Sequence, residues 1–204
     1  MSRGLGGRLG RPVTPAELLA YVYAILCSPP FSEQFDTELE EPGPRVPFTQ
    51  DAALFEEAVE IGEELLFLHT YGERYANEQR PRAAIPQGTA RATVAVSQDP
   101  DRYPTEFVYD EDAQELRVGY GAFGPVSAAV WSYEVSGLQV VASWLGYRMK
   151  VRAGRKTSPL DVIQPETWAT DLTDELLRLL WILERTVEIS RDQEALLPRI
   201  LELE

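Results

Sequence analysis

The side chains that most often carry out catalysis are scarce in this sequence of 204 residues. His69 is the only histidine and Cys27 is the only cysteine. A general base or a nucleophile usually works beside a second group that orients or activates it, and the sequence offers neither residue such a partner. The common zinc sites need more histidine and cysteine ligands than this chain has. We therefore expect no metal site and assign both residues structural roles.

Carboxylates are abundant, but their spacing indicates a solvent-exposed surface. The pairs Glu56–Glu57 and Glu63–Glu64 fall on the polar side of a helical pattern. The chain contains no GxxxxGK[ST] phosphate loop, no GxSxG nucleophile elbow and no glycine-rich cofactor loop after a strand. The glycine-rich stretch at 4–10 has no strand before it, so we interpret residues 1–13 as a flexible tail. We expect no cofactor and no catalytic residue.

One short stretch does resemble a catalytic motif. Residues 28–31, SPPF, are similar to the Asn/Asp/Ser-Pro-Pro-aromatic tetrad with which DNA amino-methyltransferases hold the target amine beside S-adenosylmethionine. That tetrad follows a buried strand, whereas the apolar residues at 18–26 recur at helical spacing. Thr14 and Glu17 can form a capping box at the start of this helix. Because proline lacks an N–H and clashes with the preceding turn, SPPF is predicted to end the helix.

Composition and charge set the broad class of protein. No apolar run reaches the length of a membrane span, and a single cysteine excludes an intrachain disulfide, so we expect a cytoplasmic protein with no membrane association. The net charge is −14, which argues against non-specific nucleic-acid binding by the surface as a whole. Residues 33–64 contain eleven acids and one base, whereas residues 143–156 contain five bases and no acid. This contrast predicts two different faces.

The periodicity predicts an α+β fold, with N-terminal helices, a small antiparallel sheet and then C-terminal helices. Helices are expected at 14–27, 31–40, 51–71, 137–148, 170–190 and, with a frayed end, 194–203. Strands are expected at 92–96, 107–109 and 115–118, the last two joined by a turn. The remaining segments are an extended linker at 43–48, a loop at 120–125, and irregular or short helical structure at 161–168. Residues 130–135 fit either a strand or a short helical turn followed by a strand.

The stretch at 130–156 combines aromatic residues, an amphipathic helix and a basic run. In the predicted helix, Leu138, Val141, Ala142 and Leu145 form the apolar side. An ordinary core helix followed by a solvated basic loop explains the pattern. A loop that contacts phosphates explains it equally well, because arginine and lysine hold a protein in register on a duplex.

Several blocks in order resemble the C-terminal specificity domain of Type ISP restriction–modification enzymes, which are single-chain bacterial anti-phage proteins. The similar blocks are YVYAILCSPPFSEQF, PRVPF, LFEEAVEIGEELLFLHTY, VWSYEVSGLQVVASWLGYRM and LTDELLRLLWILERTVEI. The resemblance covers roughly residues 14–190. We accordingly divide the chain into the tail at 1–13, a specificity-like domain at 14–190 and a helical extension at 191–204.

The resemblance implies recognition of a target sequence in double-stranded DNA, without a catalytic centre in this chain. In that family a nuclease, a translocase and an adenine methyltransferase precede the domain, so those activities are expected on a partner DNA adenine methyltransferase/translocase chain. The residues implied in DNA binding are Tyr133, Gln139, Arg148, Lys150, Arg152, Arg155 and Lys156.

Two other functions stay open at the level of sequence. One alternative is that the chain has lost DNA binding. It would then be a protein–protein interaction module or the remnant of a split restriction–modification gene. The acidic helix at 51–64 could face a partner methyltransferase or solvent. A free-standing methyltransferase is disfavoured because no cofactor loop is present.

Overall fold

The computed structural model describes residues 9–35, 46–149 and 167–202, and these form two compact units. The helical unit consists of the described residues up to Ile85 together with those from Glu188 onward. The sheet unit consists of the described residues between Pro86 and Val187. Helices come first, an antiparallel sheet follows, and a helix ends the described chain, so the predicted α+β fold is confirmed.

The first helices of the helical unit begin where the sequence predicts. Helix α1 spans Pro15–Leu26, and its capping box is formed: Thr14 Oγ1 accepts the Glu17 N–H at 3.2 Å, and the Glu17 carboxylate accepts the Thr14 N–H at 2.7 Å. The long helix, named α3 in chain order, spans Ala52–His69 and is capped by Asp51, which accepts the Leu54 N–H at 3.0 Å. Side-chain caps of this kind fix a helix start from local sequence alone.

The SPPF stretch lies between two helices. Helix α1 ends at Leu26, as expected, but α2 then spans Pro29–Gln34 instead of the predicted 31–40. The prolines start this helix because the first turn has no use for their missing N–H groups. The Ser28 side chain is 2% exposed and its hydroxyl has no hydrogen-bond partner among the described residues. Residues 36–45, which include the first half of the predicted linker at 43–48, lie outside the described residues.

Helices α1 and α3 pack closely around an aromatic stack. A Cβ added at Gly62 on α3 would overlap the Ala20 carbonyl on α1, so only glycine permits this approach. The Tyr21 ring stacks on Phe55 at 4.8 Å and on Phe48 at 5.1 Å. The helical period of the sequence predicts six apolar core positions on α3. Five of them are buried and the sixth is half-buried: Leu54, Phe55, Ala58, Leu65 and Leu68, then Ile61.

The sheet unit contains a four-stranded antiparallel sheet in the order β1-β4-β3-β2. Its strands are β1 at Arg91–Val94, β2 at Phe107–Asp110, β3 at Glu115–Val118 and β4 at Gly121–Gly124. The predicted pairing of β2 with β3 is confirmed. The loop predicted at 120–125 is wrong, because β4 is a buried strand built mainly from small residues. A Cβ at Gly121 would meet the Val96 backbone at 2.8 Å, which explains a glycine in a strand interior.

A short helix and a hairpin follow the sheet. Helix α4 spans Ala128–Trp131, and strands β5 and β6 span Glu134–Val135 and Leu138–Gln139. The second alternative for 130–135, a helical turn followed by a strand, is therefore correct. Helix α5 spans only Val140–Gly146, because residues 138–139 pair with β5 before the helix begins. Leu138, predicted on the apolar side of that helix, is instead an exposed strand residue.

The last helix, α6, spans Thr170–Glu202 without interruption. It unites the two predicted helices at 170–190 and 194–203. Its apolar period continues past residue 190, since Leu196, Leu197 and Ile200 are all buried. Gln193 is buried as well, and its side-chain amide donates to the Ala24 carbonyl at 2.7 Å. These contacts hold the end of α6 in the core of the helical unit.

Candidate nucleic-acid interface

The structure describes three of the seven residues that the sequence analysis implies in DNA binding, and all three lie in the sheet unit. Tyr133 precedes β5, Gln139 ends β6, and Arg148 follows α5. They therefore share one continuous stretch of chain. The other four residues lie outside the described residues: Lys150, Arg152, Arg155 and Lys156.

The β5–β6 hairpin is the exposed part of this stretch. Glu134 is paired with Gln139, and Val135 is paired with Leu138. The connecting residues Ser136 and Gly137 have φ values of 52° and 76°. Left-handed backbone at both positions matches the type I′ turns that suit the twist of two-residue hairpins. All six residues from 134 to 139 are exposed, including Val135 at 55% and Leu138 at 65%.

The base of the hairpin is anchored in the core of the sheet unit. The Tyr133 carbonyl accepts the Val140 N–H at 3.0 Å, which closes the hairpin. Val130 before it and Val141 after it are both buried. The Trp131 ring stacks on Tyr109 at 4.9 Å with an interplanar angle of 16°. Tyr133 itself is half-buried and packs against the same core, so it supports the hairpin from below.

The Arg148 side chain, just after α5, is held by contacts with Trp144 and Glu175. Its guanidinium lies over the Trp144 ring at 3.7 Å from the centroid. Its Nη1 donates to the Trp144 carbonyl at 3.1 Å, and its Nη2 lies 3.4 Å from the Glu175 carboxylate. The stacking and the carbonyl contact orient the guanidinium. The ion pair with Glu175 is partly exposed, and pairs of that kind contribute little stability.

A cluster of aromatic rings fixes the chain on both sides of residues 150–166. The Tyr103 hydroxyl donates to the Arg148 carbonyl at 2.8 Å. The Trp168 ring lies 6.2 Å from Tyr103 and 6.4 Å from Trp144, and its Nε1 donates to Thr173 Oγ1 at 3.0 Å. Met149 and Trp168 are 3% and 1% exposed. Met149 and Trp168 are therefore firmly packed.

Sequence reasoning missed Tyr103 and Trp168 as parts of this site. Tyr103 is 45 residues from its hydrogen-bond partner. Its partner is a backbone carbonyl, which every residue has, so the residue type at that position gives no signal of the bond. Trp168 lies at the end of a segment predicted as irregular. The available signal was the concentration of tryptophan, since all four lie between 131 and 181.

Charge is distributed unequally between the two units. The sequence of the helical unit contains 19 acidic and 9 basic residues, whereas that of the sheet unit contains 14 and 10. Some cations of the sheet unit are already engaged: Arg117 pairs with Glu115 at 2.8 Å, and Arg102 lies 5.8 Å from the centre of the exposed Tyr120 ring. The acid-free run at 143–156 is the densest group of cations in the sequence.

The two residues whose side chains most often catalyse reactions lie in the helical unit. The Tyr23 hydroxyl is 2.8 Å from His69 Nδ1, and burial lowers the pKa of His69. Burial also raises the pKa of the Cys27 thiol, which disfavours the reactive thiolate. In the described part of the chain, no group of three or more His, Cys, Asp or Glu side chains is placed to hold a metal. None of the helices there has the length and apolar character to cross a bilayer.

Comparisons with known proteins agree with this architecture. The model of the Type ISP C-terminal specificity domain matches residues 4–179. Three solved structures share the fold, each with 17–18% identity to this chain. One is a nuclease-deletion form of LlaGI, a Type ISP restriction–modification enzyme, with a DNA substrate mimic, at a TM-score of 0.59. The others are the DrdV–DNA complex, at a TM-score of 0.65, and LlaBIII, an ATP-dependent Type ISP enzyme bound to DNA, at a TM-score of 0.54. They match 89%, 94% and 94% of this chain.

The chain spans only 14%, 19% and 11% of the LlaGI, DrdV and LlaBIII chains. No curated protein matches it. The family model, in contrast, covers far more than half of the sequence and includes every residue of the hairpin, α5 and the basic run. The chain therefore belongs to the Type ISP C-terminal specificity domain family.

Proposed function

We propose that this chain recognises a target sequence in duplex DNA for a bacterial restriction–modification system, and that its sheet unit makes the DNA contact. One observation carries the proposal. An exposed hairpin anchored in the core precedes the acid-free run at 143–156, and within that run Arg148 is held by the Trp144 ring. Family membership supports it, as do the names of three proteins of the same fold, which describe them as bound to DNA or a DNA mimic.

Within this function the cations and the hairpin have different tasks. The phosphate contacts come from the group Arg148, Lys150, Arg152, Arg155 and Lys156, and such contacts fix register and orientation without reading sequence. Arg148 is already oriented by Trp144, and its weak ion pair with Glu175 can be exchanged for a phosphate. Gln139 reaches base edges, whereas the half-buried Tyr133 holds the hairpin in place.

We further propose that the catalytic steps belong to a separate DNA adenine methyltransferase/translocase chain, and that the complex acts in the cytoplasm. The helical unit, with its excess of acid, faces that partner or solvent, because phosphates would repel it.

The SPPF stretch has no part in methyl transfer. Ser28 is buried between α1 and α2 and cannot present its hydroxyl to a target amine. We expect the isolated chain to show no binding of S-adenosylmethionine in calorimetry. Stoichiometric binding at micromolar concentration would contradict this assignment.

A second candidate function is a protein–protein interaction module without DNA binding. The observation that favours it is the acid excess of the helical unit, where 19 acidic residues face 9 basic ones. The two candidates differ in how binding to a mixed-sequence duplex depends on salt.

A salt titration tests the proposal. If about three of the five cations contact phosphates, log K falls with log salt at a slope near −3, from about −0.9 per phosphate. Replacing Arg152 and Arg155 with alanine should weaken binding to all sequences alike and reduce the slope by about 2. The matched control replaces Arg74 and Arg191, two exposed arginines of the helical unit, and changes the net charge equally.

The measurement is made on the chain alone and beside its methyltransferase partner. We expect weak binding by the chain alone, because its net charge of −14 repels the duplex. An unchanged slope in the Arg152/Arg155 variant would remove the basic run from the interface and favour the interaction module. A slope that falls equally in the control variant would attribute the effect to net charge alone.

A further inference from the structure

The six residues of the β5–β6 hairpin contribute nothing to the core of the sheet unit, although two of them are apolar. Val135 and Leu138 are directly paired and are 55% and 65% exposed. Gln139 occupies the N-cap of α5 but makes no capping bond with its side chain. The hairpin therefore exposes two apolar side chains to water, and the Gln139 side chain makes no capping bond to the helix. Such a surface is suited to contact with another molecule.

The hairpin is also stiff enough to keep its shape when it binds. The left-handed conformations of Ser136 and Gly137 fix the turn, and the bond from Val140 to Tyr133 closes the base. The stacked Trp131 and the buried Val141 hold both arms to the core. Little conformational entropy is therefore lost on binding, which is the advantage of a preorganised element.

From these observations we infer that the β5–β6 hairpin enters the major groove of the target duplex end-on and determines specificity, an inference that rests on the function proposed above. The major groove, about 12 Å wide and about 8.5 Å deep, admits a two-stranded ribbon, whereas the minor groove is about 6 Å wide. Three residues per arm extend roughly 10 Å at about 3.3 Å each, so the turn reaches the groove floor.

The hairpin carries side chains that fit base edges. The Gln139 amide matches N6 and N7 of adenine, and the Glu134 carboxylate accepts from the amino group of cytosine. Val135 and Leu138 flank the turn that enters the groove first, and the thymine methyl group offers them an apolar contact there. The charge of Glu134 favours contact with base edges over contact with the DNA backbone, because phosphates would repel its carboxylate.

A protein partner fits the hairpin less well. A stable protein–protein interface usually engages about 20–30 residues on each side and is enriched in aromatic anchors. The hairpin offers six residues without an aromatic ring. The hairpin is also followed in the sequence by the basic residues at 148–156, which are suited to DNA.

The test selects binding sequences from a pool of duplexes with a randomised core, using the full chain and three variants: Gln139→Ala, Glu134→Ala and Leu138→Ala. We expect the wild type to enrich one motif. Gln139→Ala and Glu134→Ala should each lose the preference at one base pair by roughly 5- to 150-fold. The salt dependence of binding should stay unchanged in all three, because the phosphate contacts are intact.

A second readout isolates the apolar contact. Replacing the selected thymine with uracil removes only the methyl group. The wild type should lose affinity for that duplex several-fold, and Leu138→Ala should bind both duplexes equally. Matched controls are Val108→Ala and Glu106→Ala, which change exposed residues of the sheet unit outside the hairpin and should select the wild-type motif. Unchanged thermal melting shows that each variant is folded.

Three results would overturn the inference. If all hairpin variants select the wild-type motif while the Arg152/Arg155 variant enriches it poorly, DNA recognition stands but the hairpin does not read bases. If hairpin variants select normally but no longer co-purify with the methyltransferase chain, the hairpin contacts protein. If the wild type enriches no sequence, the hairpin assignment and the proposed function both fail.

Discussion

The helical unit and the sheet unit differ most in their surfaces. Acid outnumbers base by 19 to 9 in the helical unit and by 14 to 10 in the sheet unit. The helical unit places its glutamates along α3, whereas the sheet unit exposes the β5–β6 hairpin and Tyr120, which is 74% exposed. One chain thus combines a surface that repels phosphates with one that carries groups able to bind them.

Each unit has an apolar core, to which side-chain bonds to distant backbone groups are added. In the helical unit, α1 and α3 pack by apolar contact and by the close approach at Gly62. In the sheet unit, side chains bind distant backbone groups: Glu184 accepts the N–H groups of Thr89 and Ala90 at 2.6 and 2.9 Å, and Trp181 donates to the Ala90 carbonyl at 2.8 Å. Substitutions in the apolar contacts and in these hydrogen bonds should therefore act by different mechanisms.

All four tryptophans belong to the sheet unit, which allows the two units to be followed separately. Tryptophan fluorescence reports the sheet unit, whereas far-ultraviolet circular dichroism is dominated by helix. The Glu184→Ala prediction below uses both signals.

The largest effect is expected from Leu65→Ala in the helical unit. Leu65 is 1% exposed on the inner side of α3, so truncation leaves a cavity and should cost about 2–5 kcal/mol of unfolding free energy. Glu57→Ala on the outer side of the same helix removes only a surface pair with Arg199 and should cost less than about 1 kcal/mol. Denaturant melts that show equal losses for the two variants would mean that the faces of α3 are wrongly assigned.

In the sheet unit, Glu184→Ala should be the most damaging polar change. The fully buried Ala90 would lose the partner of its N–H, and hydrogen bonds to charged groups contribute about 1.5–3 kcal/mol. The control is Asp174→Ala, an exposed acid on the same helix. We expect Glu184→Ala to shift the fluorescence transition and the control to leave it unchanged. A coincident shift of the dichroism transition would show that the units unfold together.

Gly62→Ala tests the close packing of α1 and α3, because it should lower stability although alanine usually raises it within a helix. Alanine usually stabilises a helix interior relative to glycine by about 0.5–1 kcal/mol. Here the added Cβ would collide with the Ala20 carbonyl, so we expect a net loss of roughly 1–3 kcal/mol, typical of overpacking. A stabilised variant would mean that α1 and α3 are separated more widely than the structure shows. Gly62→Ala should reduce stability without altering the salt slope of DNA binding.

How well each region could be predicted follows from the range of the forces that form it. The caps at Thr14 and Asp51 are local, so the starts of α1 and α3 follow from a few residues. Strand β4 has no β-branched residue, and its glycines are explained only by the neighbouring Val96 backbone. The predicted helix at 137–148 includes the second arm of the hairpin, because Leu138 continues an apolar period by coincidence.

The candidate site shows the same division. Tyr133, Gln139 and Arg148 follow from the family resemblance, and their part in DNA binding stays a prediction. The sequence could not show that Tyr133 supports the hairpin or that Arg148 is stacked on Trp144, since both facts depend on folded contacts. The role of Tyr103 depends on a bond across 45 residues, which no local pattern encodes.

The smallest effect is a pH dependence confined to the helical unit. Burial lowers the pKa of His69 in the folded chain, so the folded state prefers the neutral ring that bonds to Tyr23. The unfolded chain takes up the proton near its ordinary pKa of about 6.5. The unfolded state therefore binds more protons below that pH, and stability should fall as the pH drops from about 6.5 through the folded pKa.

This contribution should be absent above about pH 7.5, where His69 is neutral in both states. The measurement compares the unfolding free energies of wild type and His69→Phe at pH 8 and at pH 5. Phenylalanine fills the buried site but cannot titrate, so the difference between the two proteins should shift toward the variant at the lower pH. The shift should appear in the dichroism transition, because His69 and Tyr23 both belong to the helical unit. A difference independent of pH would mean that the ring is accessible to water or already charged in the folded chain.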